Sequence, residues 1–171
     1  QQDGCEEASL IMAKYWRTGD WLNKDLALKE ILAAAAWEKE NMGGDPSLSV
    51  KDTVELAEKY FGLTGLTTDN APTIEKMKFS LAAGQIVIVP VNGQVLGNPH
   101  FTAPGPPEHM LVIIGYDDTT QEFITNDPGT RSGKSYRYSY KVLFEAIREY
   151  PTGHRELIEE ISKAIIIVPK K

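Results

Sequence analysis

The chain is poor in the residues that dominate metal and disulfide chemistry. It has one cysteine, Cys5, and three histidines, His100, His109 and His154, in 171 residues. A single cysteine forms no internal disulfide and no cysteine-rich zinc site. The histidines show no HExxH or similar pairing, so neither a metal nor an organic cofactor is expected. Positive charge is also scarce: 18 Lys and Arg against 24 Asp and Glu give a formal net charge of −6. With no long basic run, that balance argues against nucleic acid as a partner. No apolar run reaches the length of a membrane span. An initiating Met and a signal peptide are both missing, and the expectation is one domain over residues 1–171 without its native N-terminal segment. A hydrophobic content of 42% and a charged content of 25% describe an ordinary globular chain, long enough for one well-buried core.

Against this background Cys5 stands out. Cys5, Ala8, Met12 and Tyr15 recur at the spacing of one helical face, which predicts a core-facing stripe headed by the thiol. A thiol in the first turn of a helix sits near unpaired N–H groups and the positive end of the dipole, and both favour the reactive thiolate. Glu6 and Glu7 are first-turn acids that suit the dipole, yet beside the thiol they oppose its ionisation. A reactive Cys5 therefore needs a cationic partner. The bland alternative is a small buried hydrophobe.

The first half of the chain reads as helical. The Cys5 helix stops at Gly19, a second runs through Leu26–Trp37 to Gly43-Gly44, Ser49 caps a third and Thr73 a fourth. The run Ala33–Ala36 predicts tight helix packing. The second half reads as strands at Ile86–Val91, Met110–Tyr116, Glu122–Asn126, Ser135–Tyr140 and Ala164–Val168, with helices at Val142–Tyr150 and Glu156–Ser162. A Gly- and Pro-rich loop from Asn92 to Glu108 is a candidate cleft wall. Helices followed by a mostly antiparallel sheet give an α+β class.

His109 lies at a strand mouth after that loop. Asp117 shares its strand face but stands roughly 26 Å away at a rise of about 3.3 Å per residue. Asp127 is within reach. If Asp117–Gln121 is the hairpin loop and Tyr116 faces Glu122, then Leu111 faces Asp127 and His109 is its diagonal neighbour, about 7–8 Å away. A slip of one residue would present Asn126 instead. A nucleophile at a helix start, with a histidine oriented by an acid or amide on the next strand, follows the logic of a thiol triad. Without that role, His109 is a satisfied strand-end histidine and Asp127 a turn residue. His100 reads as a surface-loop residue and His154 as part of a turn or helix start.

Three segments, Gly-Cys-Glu-Glu-Ala-Ser-Leu at 4–10, His-Met-Leu-Val-Ile-Ile-Gly-Tyr-Asp at 109–117 and Thr-Asn-Asp-Pro-Gly-Thr at 125–130, resemble the peptidase C39-like family. These are papain-like cysteine peptidases related to the domain that trims double-glycine leader peptides. The resemblance covers nearly the whole chain. It implies a papain-like α+β fold, with the site between helices and sheet. It also implies Cys5 as nucleophile, His109 as general base and acid, Asp127 as orienting partner, a peptide or protein substrate, and an extracytoplasmic or cell-surface setting. The family uses a glutamine upstream of the cysteine as an oxyanion donor. Here Gln1 and Gln2 are close to Cys5, so the Cys5 backbone N–H and Gln2 are the available donors, and the family's glutamine is expected upstream. No transporter ATP-binding part is present, and bacteriocin export is not carried over. Two rivals stand beside the peptidase: a catalytically silent peptide-binding module that kept the cleft, and a thiol amidase or acyltransferase acting on cell-wall peptides. If Cys5 pairs with His109, its thiol should titrate below about 8.5.

Overall fold

A computed structural model describes residues 4–44, 47–153, 158 and 161–170. Helices α1 (Cys5–Thr18), α2 (Lys24–Asn41) and α3 (Val50–Lys59) come first. They are followed by β1 (Thr67–Asp69), α4 (Ile74–Ala82), β2 (Ile86–Val91) and the short α5 (Gly93–Leu96). Then come β3 (His109–Asp117), β4 (Glu122–Asn126), β5 (Lys134–Ser139), α6 (Tyr140–Ala146) and β6 (Ile165–Val168). The strands form one sheet in the order β1-β6-β2-β3-β4-β5, and every described pairing is antiparallel. The fold class is α+β, with helices packed on an antiparallel sheet.

Strand alternation builds two cores. Ile86 and Ile88 of β2, Met110 and Val112 of β3 and Ile166 of β6 join Leu10 and Ala13 of α1 and Leu56 of α3. Their neighbours Val87, Val89, Leu111, Ile113 and Ile165 face the other way, towards Met77 of α4 and Leu143 of α6. Helices on both faces explain why β2 is apolar at every position rather than alternating.

The helix starts carry capping side chains. Asn23, Ser49, Thr73, Asn92 and Ser139 each accept a backbone N–H from the first turn of α2 to α6. Gly4, at the start of α1, supplies no side-chain cap.

Four expectations need correction. In α1 the buried residues are Glu6, Glu7, Ser9, Leu10, Ile11 and Ala13, whereas Cys5, Ala8, Met12 and Tyr15 are only half-buried, Cys5 and Met12 packing at the margin of the core. α1 is covered by β3 on one side and α2 on another, so a single stripe does not describe it. In the alanine run only Ala34 is buried, and Ala33, Ala35 and Ala36 are exposed beside Leu32. α6 ends at Ala146 because Ile147 turns extended and bridges to Val91, so residues spaced like a helix serve a strand contact instead. The proline-rich loop contains α5, capped by Asn92. The expected helix at Glu156–Ser162 and His154 fall largely outside the described residues.

The β3–β4 register also differs, in a way that matters for the site. Asp117 faces Glu122 and Tyr116 faces Phe123, one residue off the expected pairing. A bulge between Ile113 and Gly115 then absorbs one residue, so that Ile113 faces Thr125 and Val112 faces Asn126. The bulge thereby restores the expected register before the strands reach His109.

Candidate active site

β3 opens on His109, which is 4% exposed, and its Nε2 lies 2.7 Å from Asp127 Oδ1. Asp127 sits just beyond the end of β4 and is held from several sides. The Gly129 N–H donates to Oδ1 at 2.8 Å, and the Tyr138 hydroxyl donates to Oδ2 at 2.6 Å. Asn98 Nδ2 donates in turn to the Tyr138 oxygen at 2.6 Å. A chain Asn98–Tyr138–Asp127–His109 thus ties the proline-rich loop, β5 and β3 together. Asn126 is engaged elsewhere, its Oδ1 accepting from the Ser135 N–H.

Two glycines let this cluster close. A Cβ at Gly129 would stand 2.9 Å from both His109 Cε1 and Phe101 Cε1, and one at Gly133 would overlap the Asp127 carbonyl oxygen. Phe101 meets the imidazole edge-on at 5.5 Å between ring centres, so the loop forms one wall beside His109. His100 is exposed and lies edge-on to Tyr136.

Cys5 is the first residue of α1, which packs on β3. Its thiol donates to Glu6 Oε2 at 3.0 Å rather than to His109. Glu6 is 2% exposed, and its other oxygen accepts from the Leu48 N–H at 3.3 Å. The first-turn acid is therefore a buried group beside the sulfur, not a solvated complement to the helix dipole. Burial pushes the Cys5 thiol up, and the negative charges of Glu6 and Glu108 push in the same direction; the Met110 backbone N–H works against them. The expected titration below about 8.5 is tied to pairing with His109; while the sulfur is bonded to Glu6 instead, burial and the two acids favour the protonated thiol.

The acids differ from one another. Burial raises the Glu6 carboxyl, although the Cys5 thiol, the Leu48 N–H and attraction to His109 work to lower it. Burial also works to raise Asp127. There the hydrogen bond from His109, attraction to it, the Tyr138 hydroxyl and the Gly129 N–H prevail and hold the carboxyl below the ordinary aspartate value. With Asp127 ionised and bonded to Nε2, the neutral imidazole carries its proton there and leaves Nδ1 as the acceptor.

Gln2 lies outside the described residues. The Cys5 N–H belongs to the first turn of α1, where no intrahelical partner exists. Among the described residues no cluster of three or more His, Cys, Asp or Glu side chains could hold a metal ion, and no helix is long and apolar enough to cross a membrane. Tyr138 and Asn98 carry no role in the sequence reading, and Glu6 enters it only as a first-turn acid beside the thiol. Only Glu6 carried a signal, its place beside the thiol; residues 98, 127 and 138 are joined by the fold alone.

A solved structure from Bacillus anthracis, assigned as a C39-like peptidase, is similar to this chain with a TM-score of 0.57 and 19% identity, covering 99% of this chain and 90% of that one. At that identity the likeness speaks for the fold. No curated protein matches. The family model described as the Peptidase_C39 like family matches residues 1–155. The chain belongs to the Peptidase_C39 like family.

Proposed function

We propose that this chain is a cysteine peptidase that hydrolyses peptide bonds through a thioester acyl-enzyme, with Cys5 as nucleophile, His109 as base and acid, and Asp127 as the residue that orients the ring. The observation that carries the reading is the buried His109–Asp127 pair at the mouth of β3, the strand on which the Cys5 helix packs. His109 Nδ1 takes the proton from Cys5, and the sulfur attacks the scissile carbonyl. The imidazolium then protonates the leaving amine, and a water deprotonated by His109 hydrolyses the thioester. The Cys5 N–H, free at the start of α1, supplies a hydrogen bond to the tetrahedral oxyanion.

A silent peptide-binding module is the second reading. It is favoured by the thiol's bond to Glu6 and by the upward push on its titration. The experiment is hydrolysis of a mixed peptide library read by mass spectrometry, with Cys5→Ala and His109→Ala as controls. Cleavage that both variants abolish supports the peptidase. Binding of peptides without cleavage in any preparation supports the module, and cleavage of cell-wall peptides alone supports an amidase.

A further inference from the structure

Resting on the peptidase reading, we propose that Glu6 is a positioning residue that holds the Cys5 sulfhydryl protonated and away from His109, so that the nucleophile is released only when the Cys5–Glu6 hydrogen bond breaks. The geometry is that of a latch. Glu6 Oε2 takes the thiol at 3.0 Å, while Oε1 is anchored on the Leu48 N–H ahead of α3. The carboxylate is buried, so water does not compete for its oxygens. A thiolate and a carboxylate 3.0 Å apart repel in such a site, so the pair keeps one proton between them.

The charged and titratable groups around the pair come from three directions. Glu6 itself lies on α1, Glu108 precedes β3 and acts on the sulfur, and His109 on β3 acts on Glu6. Two of these three are acids, so the thiol gains little from its surroundings until it reaches the imidazole. Release is a single proton transfer: the S–H bond breaks, its electron pair stays on sulfur, and the proton moves to His109 Nδ1. No oxidant or further reactant enters.

The test is the pH dependence of Cys5 alkylation by iodoacetamide in wild type, Glu6→Gln and His109→Ala. The glutamine keeps the shape, removes the charge and can donate to a thiolate. Its midpoint should fall by at least about one pH unit, which is about a tenfold gain in thiolate at neutral pH. A midpoint in Glu6→Gln that stays put or rises overturns the latch. The two readings fail separately. If Glu6→Gln lowers the midpoint but the wild type hydrolyses no peptide, the latch stands and the peptidase falls. If hydrolysis depends on His109 but Glu6→Gln leaves the midpoint unmoved, the reverse holds. Should Glu6→Gln not fold, the Glu6 carboxyl is titrated by carbon NMR in wild type and Cys5→Ala. Loss of the thiol donor should raise the Glu6 midpoint, and an unmoved midpoint overturns the proposal.

Discussion

Glu6 and Asp127 are both buried carboxylates in one site, and their surroundings drive them in opposite directions. Asp127 receives the imidazole, a tyrosine hydroxyl and a backbone N–H, at 2.6–2.8 Å. Glu6 receives a weakly donating thiol at 3.0 Å and a longer bond from the Leu48 N–H at 3.3 Å. Burial penalises both charges, so donor supply decides which one is comfortable. The difference separates the two walls. The sheet side is built to keep its acid ionised and its histidine fixed. The helix side leaves the nucleophile held by an acid, with the Met110 backbone N–H as its counterweight. The absence of a side-chain cap on α1, where the other helices have one, belongs to the same contrast.

Breaking the better-supplied side should have the largest effect. Asp127→Asn keeps the shape but favours the wrong imidazole tautomer. It should lower kcat/KM for peptide hydrolysis by about ten-thousandfold. Steady-state kinetics checks this, and a decrease below tenfold would mean that Asp127 does not orient the ring. Tyr138→Phe is milder. It strips Asp127 Oδ2 and Asn98 Nδ2 of their shared partner while leaving His109 in contact with Oδ1. We expect a loss of about 1–3 kcal/mol in stability by denaturant unfolding. kcat should fall by about tenfold with little change in KM.

The comparison can be sharpened by pH. Asp127 has a folded pKa below its unfolded value. Its contribution is full above about pH 4 and is lost as pH falls through the folded value. Glu6 has a folded pKa above its unfolded value, so its contribution is full below about pH 4 and is lost as pH rises through the folded value. The stability difference between wild type and Asp127→Asn should therefore shrink towards acid. That between wild type and Glu6→Gln should shrink towards neutral pH. Urea melts across that range read both slopes, and slopes of the same sign would mean that the two carboxyls are not driven in opposite directions. The smallest effect is expected far from both acids. Thr73→Ala removes the cap on α4, whose hydroxyl accepts the Lys76 N–H at 3.1 Å. It should cost about 1 kcal/mol in stability and leave kcat/KM unchanged.

Much of the frame was legible from local chemistry. Ser49 and Thr73 announced their helices, β-branched runs announced β2, β3 and β6, and the family segments lay in the sequence in plain order. The contact between His109 and Asp127 followed from alternation and one hairpin, although the turn was read a residue off and the bulge at Ile114 made good the difference. The short strand Thr67–Asp69 went unread, because three residues with two exposed carry no period.

What the sequence by itself determined is what adjacency and periodicity encode: the order of helices and strands, a thiol at a helix start with acids beside it, and a histidine in reach of Asp127. Only the tertiary structure decided how those groups are charged and held. Whether Glu6 meets water or the sulfur depends on what covers α1. Whether Asp127 stays ionised depends on Tyr138 and Gly129, and Tyr138 in turn on Asn98 from a distant loop. Desolvation and donor supply are sums over neighbours brought together by folding, and no local pattern along the chain contains them.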